Sequence, residues 1–176
     1  MVDGSMMDGS MMDESRAETS DSRVLIVDDE RAARFGMRRA LEKEGWEILE
    51  ATNGREALEA VRAEEPDLML LDLNMPDLDG FEVMDELPED QGDHVRPLVI
   101  VVTAHGSEQV AVEAMKKGAY DYLAKPYDID EMRMATRRAL EKVELERENR
   151  SLKDALRNLP GPDVPGYGSI VGESEA

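Results

Sequence analysis

Short, unbroken apolar runs separated by stretches of helical spacing constrain this chain more than any other feature. Val24-Leu25-Ile26-Val27, Leu68-Met69-Leu70-Leu71 and Leu98-Val99-Ile100-Val101-Val102 do not alternate with polar residues. That is the pattern of strands covered on both faces. Between the first two runs, Ala33, Gly36, Met37, Ala40 and Leu41 recur at helical spacing, with Gly45 where a helix stop belongs. Glu47 to Ala51 reads as a weaker second strand, Asn53 with Glu56 as a capping pair, and Gly54, Ala57, Leu58 and Val61 as the next helix face. Phe81 to Leu87 predicts a short third helix, and Pro88 to Arg96 a polar loop holding His94. Ser107 can cap a fourth helix with Val110, Ala111, Ala114 and Met115 on one face and Gly118 past its end; Tyr120 to Leu123 makes a fifth strand. Five strands alternating with helices predict a doubly wound α/β fold, a five-stranded parallel sheet with right-handed crossovers and strand order 2-1-3-4-5.

In such a sheet the chain reverses its winding between strands one and three, and ligands bind at the carboxyl ends there. Asp28 and Asp29 follow the first strand directly, and Asp72 follows the third. Pro76 and the Asp79-Gly80 pair force the chain after Asp72 into a turning loop. Thr103 ends the fourth strand and Lys125-Pro126 closes the fifth, so a hydroxyl and an amine arrive at the same edge as three acids. Taken singly these are a loop cap, a strand-end residue and a solvated charge. Their shared address favours chemistry. Two carboxylates about 4 Å apart repel by about 4 kcal/mol at an effective dielectric near 20, so three together need protons, an amine or a metal. Oxygen donors without His or Cys favour magnesium. Magnesium and a lysine ammonium both suit a phosphoryl group moving onto a carboxylate, with Asp72 as acceptor and the Thr103 hydroxyl as a donor to the attached group.

Composition narrows the partners. The 176 residues hold 41 acids against 21 Lys and Arg, a net charge of −20, which argues against nucleic-acid contact by this chain. There is no cysteine, neither of the 2 histidines has metal-ligand spacing, and no apolar run suits a membrane span or signal peptide. A cytoplasmic protein is expected.

In this order and at these strand ends the residues resemble the receiver domain of two-component response regulators over about residues 23 to 143. The resemblance implies a flavodoxin-like fold. It makes Asp28-Asp29 the acidic metal pair, Asp72 within Asp-Leu-Asn-Met-Pro-Asp-Leu-Asp-Gly the phosphorylated residue, and Thr103 and Lys125 its hydroxyl and lysine. It further implies that Asn74 ligates magnesium through its carbonyl and that Tyr122 changes rotamer with phosphorylation. A sensor histidine kinase would donate the phosphoryl group, the chain would catalyse only its own phosphorylation and dephosphorylation, and the switched output surface or dimer arrangement would control a downstream transcriptional effector. The alternative is a haloacid-dehalogenase-type magnesium-dependent phosphatase, which carries a second aspartate two residues after the nucleophile. Here that position is Asn74.

The ends read differently. Residues 1 to 22 repeat Met-Asp-Gly-Ser-Met and set Asp3, Asp8, Asp13, Glu14, Glu18 and Asp21 against a lone Arg16, a composition expected of a disordered acidic arm. From Ile129 helical residues run to Leu159, with Leu145, Leu152 and Leu159 seven apart and Asn149 and Leu156 at the alternate positions of a heptad. That predicts a linker helix over 144–159 and a parallel homodimer through Leu145 to Leu159. Prolines and glycines make 160–176 a flexible tail, whose Ile170-Val171-Gly172-Glu173-Ser174 resembles the opening of the ATPase domain in nitrogen-regulatory-type, enhancer-binding activators. Either the chain is the regulatory fragment of such an activator or it is a single-domain regulator with a short tail.

Overall fold

The computed structural model describes residues 21–90 and 95–161; His94, the acidic arm up to residue 20 and the tail from residue 162 lie outside them. Eleven elements follow in order: β1 (Arg23–Val27), α1 (Arg31–Leu41), a 3₁₀ turn (Glu42–Glu44), β2 (Glu47–Ala51), α2 (Gly54–Glu64), β3 (Leu68–Leu71), α3 (Gly80–Glu86), β4 (Leu98–Thr103), α4 (Glu108–Lys116), β5 (Asp121–Ala124) and α5 (Ile129–Arg157). All neighbouring strands pair in parallel, in the order β2-β1-β3-β4-β5. The topology is the one the alternating pattern predicts.

Each strand feeds two cores because successive side chains point to opposite faces. Leu25, Val27, Met69, Leu71, Val99 and Val101 pack with α2, α3 and Ala114 of α4 on one face. Val24, Ile26, Leu68, Leu70, Ile100 and Val102 pack with α1 and the start of α5 on the other. This is why the three central runs are apolar at every position. Burying one such side chain contributes roughly 1.5–3 kcal/mol, and a charge at any of these positions has no solvated face to turn to.

Local chemistry fixes the boundaries. Asn53 accepts from the Glu56 N–H at the start of α2, while the Glu56 carboxylate bonds Thr52 rather than closing a box with Asn53. Asp79 and Glu82 cap each other reciprocally, which starts α3 at Gly80, one residue earlier than expected. Ser107 caps α4 through the Val110 N–H.

Some expected faces are narrower in the structure. Gly36 is exposed, and α1 turns only Met37, Ala40 and Leu41 fully inward; Gly36 lies one helical step off that stripe. On α4, Ala114 is buried but Met115, one step further round, is 49% exposed. The last helix stops at Arg157 rather than Leu159. Leu159 precedes Pro160, whose ring disfavours the helical conformation for the residue before it.

The chain divides into two compact units, one ending at Glu141 and one beginning at Lys142. In the second, Leu145, Leu152 and Leu156 stand 63%, 63% and 68% exposed on α5, a stripe that the helix itself cannot cover.

Candidate functional site

Strand register brings the site together. Val27 pairs with Leu71 and Leu71 with Val101, so Asp28 and Asp72, each one residue past its strand, come side by side, and the Asp72 N–H donates to the Val27 carbonyl at 2.9 Å. Thr103 pairs with Ala124, and the Lys125 N–H donates to the Thr103 carbonyl at 2.9 Å. Acids, hydroxyl and amine all reach the carboxyl edge of the sheet at the winding reversal.

Carboxylate oxygens of Asp28, Asp29 and Asp72 lie within 4.8 Å of one another. Asp28 is fully buried, Asp72 is 7% exposed and Asp29 faces solvent. The Lys125 ammonium bonds Asp28 Oδ2 at 2.5 Å and reaches Asp72 Oδ2 at 3.4 Å. Asp72 Oδ1 accepts from the Asn74 N–H at 3.1 Å, and Asp28 Oδ1 from the Glu30 N–H at 2.9 Å. One lysine is thus shared by two acids while the third stays open to water.

Burial pushes the Asp72 carboxyl above the ordinary carboxylate value; the Asn74 N–H and the Lys125 charge pull it back, and the Asp28 charge adds to the rise. For Lys125, burial works to depress the amine, but its hydrogen bond to Asp28 and the charges of Asp28 and Asp72 outweigh it, so the net direction is upward. The site therefore holds excess negative charge that one ammonium does not fully offset. A divalent cation among three hard oxygen donors fits that deficit.

Gly80 makes room for Asp72. An ideal Cβ there would come within 2.6 Å of the Asp72 carbonyl oxygen, so the turn after β3 tolerates only glycine at this close approach. Thr103 is fully buried, its hydroxyl accepting from the His105 N–H at 3.4 Å. Two residues went unremarked in the sequence. Gly106 lies directly against the Tyr122 hydroxyl, and Arg34 donates through Nη1 to the Asp28 carbonyl at 2.9 Å. Neither carries a local signal: a loop glycine and one arginine among several on α1 become informative only when the partner element is known.

The response regulator receiver domain model matches residues 24–137. Regulatory protein AtoC of Escherichia coli is 38% identical over 138 residues, covering 78% of this chain and 29% of that protein. Sporulation initiation phosphotransferase F of Bacillus subtilis is 38% identical over 120 residues, covering 68% of this chain and 94% of that one. Among solved structures, a CheY-like response regulator receiver domain protein from Methanospirillum hungatei superposes with a TM-score of 0.64 at 29% identity, covering 72% of this chain and 99% of that one. The chain spans less than a third of AtoC and of the DNA-binding transcriptional regulator NtrC of Escherichia coli. The phosphatase alternative gains no support from these matches. With its five-stranded parallel sheet and an acidic cluster at the winding reversal, the chain belongs to the response regulator receiver domain family.

Proposed function

We propose that Asp72 accepts a phosphoryl group in a magnesium-dependent reaction, with a sensor histidine kinase as donor. The observation that carries this reading is the sharing of one Lys125 ammonium between Asp28 and Asp72 with Asp29 alongside. An Asp72 carboxylate oxygen attacks phosphorus, forming a P–O bond; the P–N bond of the donor phosphohistidine breaks and its electron pair returns to the imidazole. Asp28, Asp29, Asp72 and the Asn74 carbonyl would hold magnesium, which when bound neutralises charge on the phosphoryl oxygens. Lys125, bonded to Asp28 and within reach of Asp72, would offset the same charge. Thr103 then donates to the attached group, and Tyr122 follows it. The chain catalyses only its own phosphorylation and dephosphorylation.

We read residues 1–22 as an acidic arm, 23–143 as the receiver, 144–159 as a linker helix and 160–176 as a tail. The exposed leucine stripe on α5 supports a parallel homodimer through Leu145 to Leu159, and the likeness to AtoC and NtrC supports a transcriptional effector as the output in a cytoplasmic setting. Direct nucleic-acid contact is assigned to such an effector, not to this chain. Among the described residues no helix is long and apolar enough to cross a membrane.

Intact mass after treatment with acetyl phosphate and magnesium tests the acceptor. The wild-type chain gains one phosphoryl adduct and Asp72→Asn gains none; an equal adduct in Asp72→Asn would remove Asp72 from the role.

A further inference from the structure

Every polar group of Asp28 is held. Its N–H donates to the Ala51 carbonyl at 3.2 Å, its Oδ1 accepts from Glu30 and its Oδ2 from Lys125. Its carbonyl, stranded past the end of β1 in a fully buried residue, accepts from Arg34 Nη1 at 2.9 Å. Arg34 reaches it from the first turns of α1 with only 13% of its side chain exposed, and its Nε stands 3.6 Å from Glu50 Oε1 of β2. Asp29 is different: it is exposed, and no described residue bonds its carboxylate.

We propose that Arg34 is a positioning residue for the cation site, orienting Asp29 by holding the carbonyl of Asp28. A peptide is planar, so fixing the Asp28 oxygen fixes the Asp29 N–H and the direction in which the chain enters Asp29. Partners one shell behind a ligand commonly change metal affinity by tenfold or more when removed. The electrostatic effect of Arg34 has the opposite sign. A guanidinium near a cation site repels the cation, so deleting its charge alone strengthens magnesium binding. Weaker binding after its removal therefore separates orientation from field.

This inference rests on the proposed cation site. The test is a magnesium titration of the unphosphorylated full-length chain at constant ionic strength, followed through the Asp29 and Asp72 amide resonances, alongside thermal unfolding in EDTA. Arg34→Met is expected to bind magnesium about tenfold more weakly, and Arg34→Lys, which keeps a cationic donor on a long stem, to recover most of the loss. A purely structural role would lower the EDTA melting temperature without moving the affinity, and that result overturns the assignment, as does unchanged or tighter binding by Arg34→Met. Arg34→Gln, shorter and neutral, replaces Arg34→Met with the same readings where the latter does not fold. A wild-type chain that binds magnesium but takes no phosphoryl group overturns the proposed function and leaves this titration to decide Arg34. A wild-type chain that binds none overturns both.

Discussion

The Tyr122 hydroxyl fills the space that a side chain at Gly106 would need, for an ideal Cβ on Gly106 would collide with that oxygen. The hydroxyl is buried with no hydrogen-bond partner among the described residues, so fit rather than bonding keeps the ring there. Tyr122→Phe is expected to raise stability by about 1 kcal/mol, since it removes an unsatisfied buried group. Gly106→Ala must displace the ring or the loop, at a cost of about 1–3 kcal/mol. That cost shrinks in the Tyr122→Phe background, where the nearest clashing atom is gone. Urea unfolding of the wild type, both single variants and the double variant closes the cycle; an equal Gly106→Ala cost in both backgrounds would show that the loop gives way and the ring stays.

What the sequence made legible follows from what is local. Asp28, Asp29, Asp72, Thr103 and Lys125 each stand at the end of an apolar run, so the run locates the strand and the strand order locates the residue. The two cores were readable for the same reason, because Val24 to Val27 and Leu68 to Leu71 have no polar face to mark a solvent side. Arg34, Gly80 and Gly106 matter through distances to elements far away in sequence. No period or cap announces that a Cβ at Gly80 would strike the Asp72 carbonyl, or that one arginine of Arg31, Arg34, Arg38 and Arg39 turns toward Asp28. The misjudged positions Gly36 and Met115 fail in another way: each lies one step round the helix from a truly buried residue, where amphipathic spacing does not separate edge from core.

The proposed dimer through the linker helix predicts a sharp response to a single charge. Leu152 stands at the centre of the stripe, with Asn149 and Leu156 beside it. In a parallel pair, Leu152→Asp places two carboxylates across the seam, where water is excluded and their repulsion is unrelieved. Sedimentation equilibrium of the full-length chain at tens of micromolar is expected to give a dimer, and of Leu152→Asp a monomer. Asn149→Leu should tighten association while relaxing the two-stranded state, because the paired amides set register at a cost in stability. A monomeric wild type, or Leu152→Asp with unchanged association, would remove the helix as the contact.

The net charge of −20 predicts a stability that rises with salt. Like charges spread over a small domain repel one another in the compact state more than in the expanded chain. The Debye length falls from about 10 Å at 0.1 M salt to about 3 Å at 1 M, so this repulsion is largely removed over that range. The melting temperature in sodium chloride should climb between those concentrations. The exposed pairs Arg23–Glu47 and Lys117–Asp85 weaken under the same screening, but pairs open to solvent contribute too little to reverse the trend. A falling melting temperature would mean that local pairs outweigh the global field.

Asp72 is expected to reduce the stability of the metal-free fold that it equips. Its folded carboxyl lies above the ordinary 3.8, chiefly through burial, so the folded state holds the proton more tightly than the unfolded chain does. By linkage, the resulting stabilisation is fully present below 3.8 and is lost as pH rises through the raised value. At neutral pH the ionised carboxylate is a net cost. Asp72→Asn should therefore melt higher than the wild type at neutral pH in EDTA, with the gap closing as pH approaches 3.8. Lys125 stays outside this window, because its amine is shifted upward from 10.5. Magnesium should invert the order: at one hundred times its Kd it stabilises the chain that binds it by about 2.7 kcal/mol, and Asp72→Asn lacks one of the three carboxylates. Thermal unfolding of both chains across pH, with EDTA and with magnesium, checks both halves. A wild type that is the more stable of the two at neutral pH without metal would show that the Lys125 and Asn74 contacts outweigh burial at Asp72.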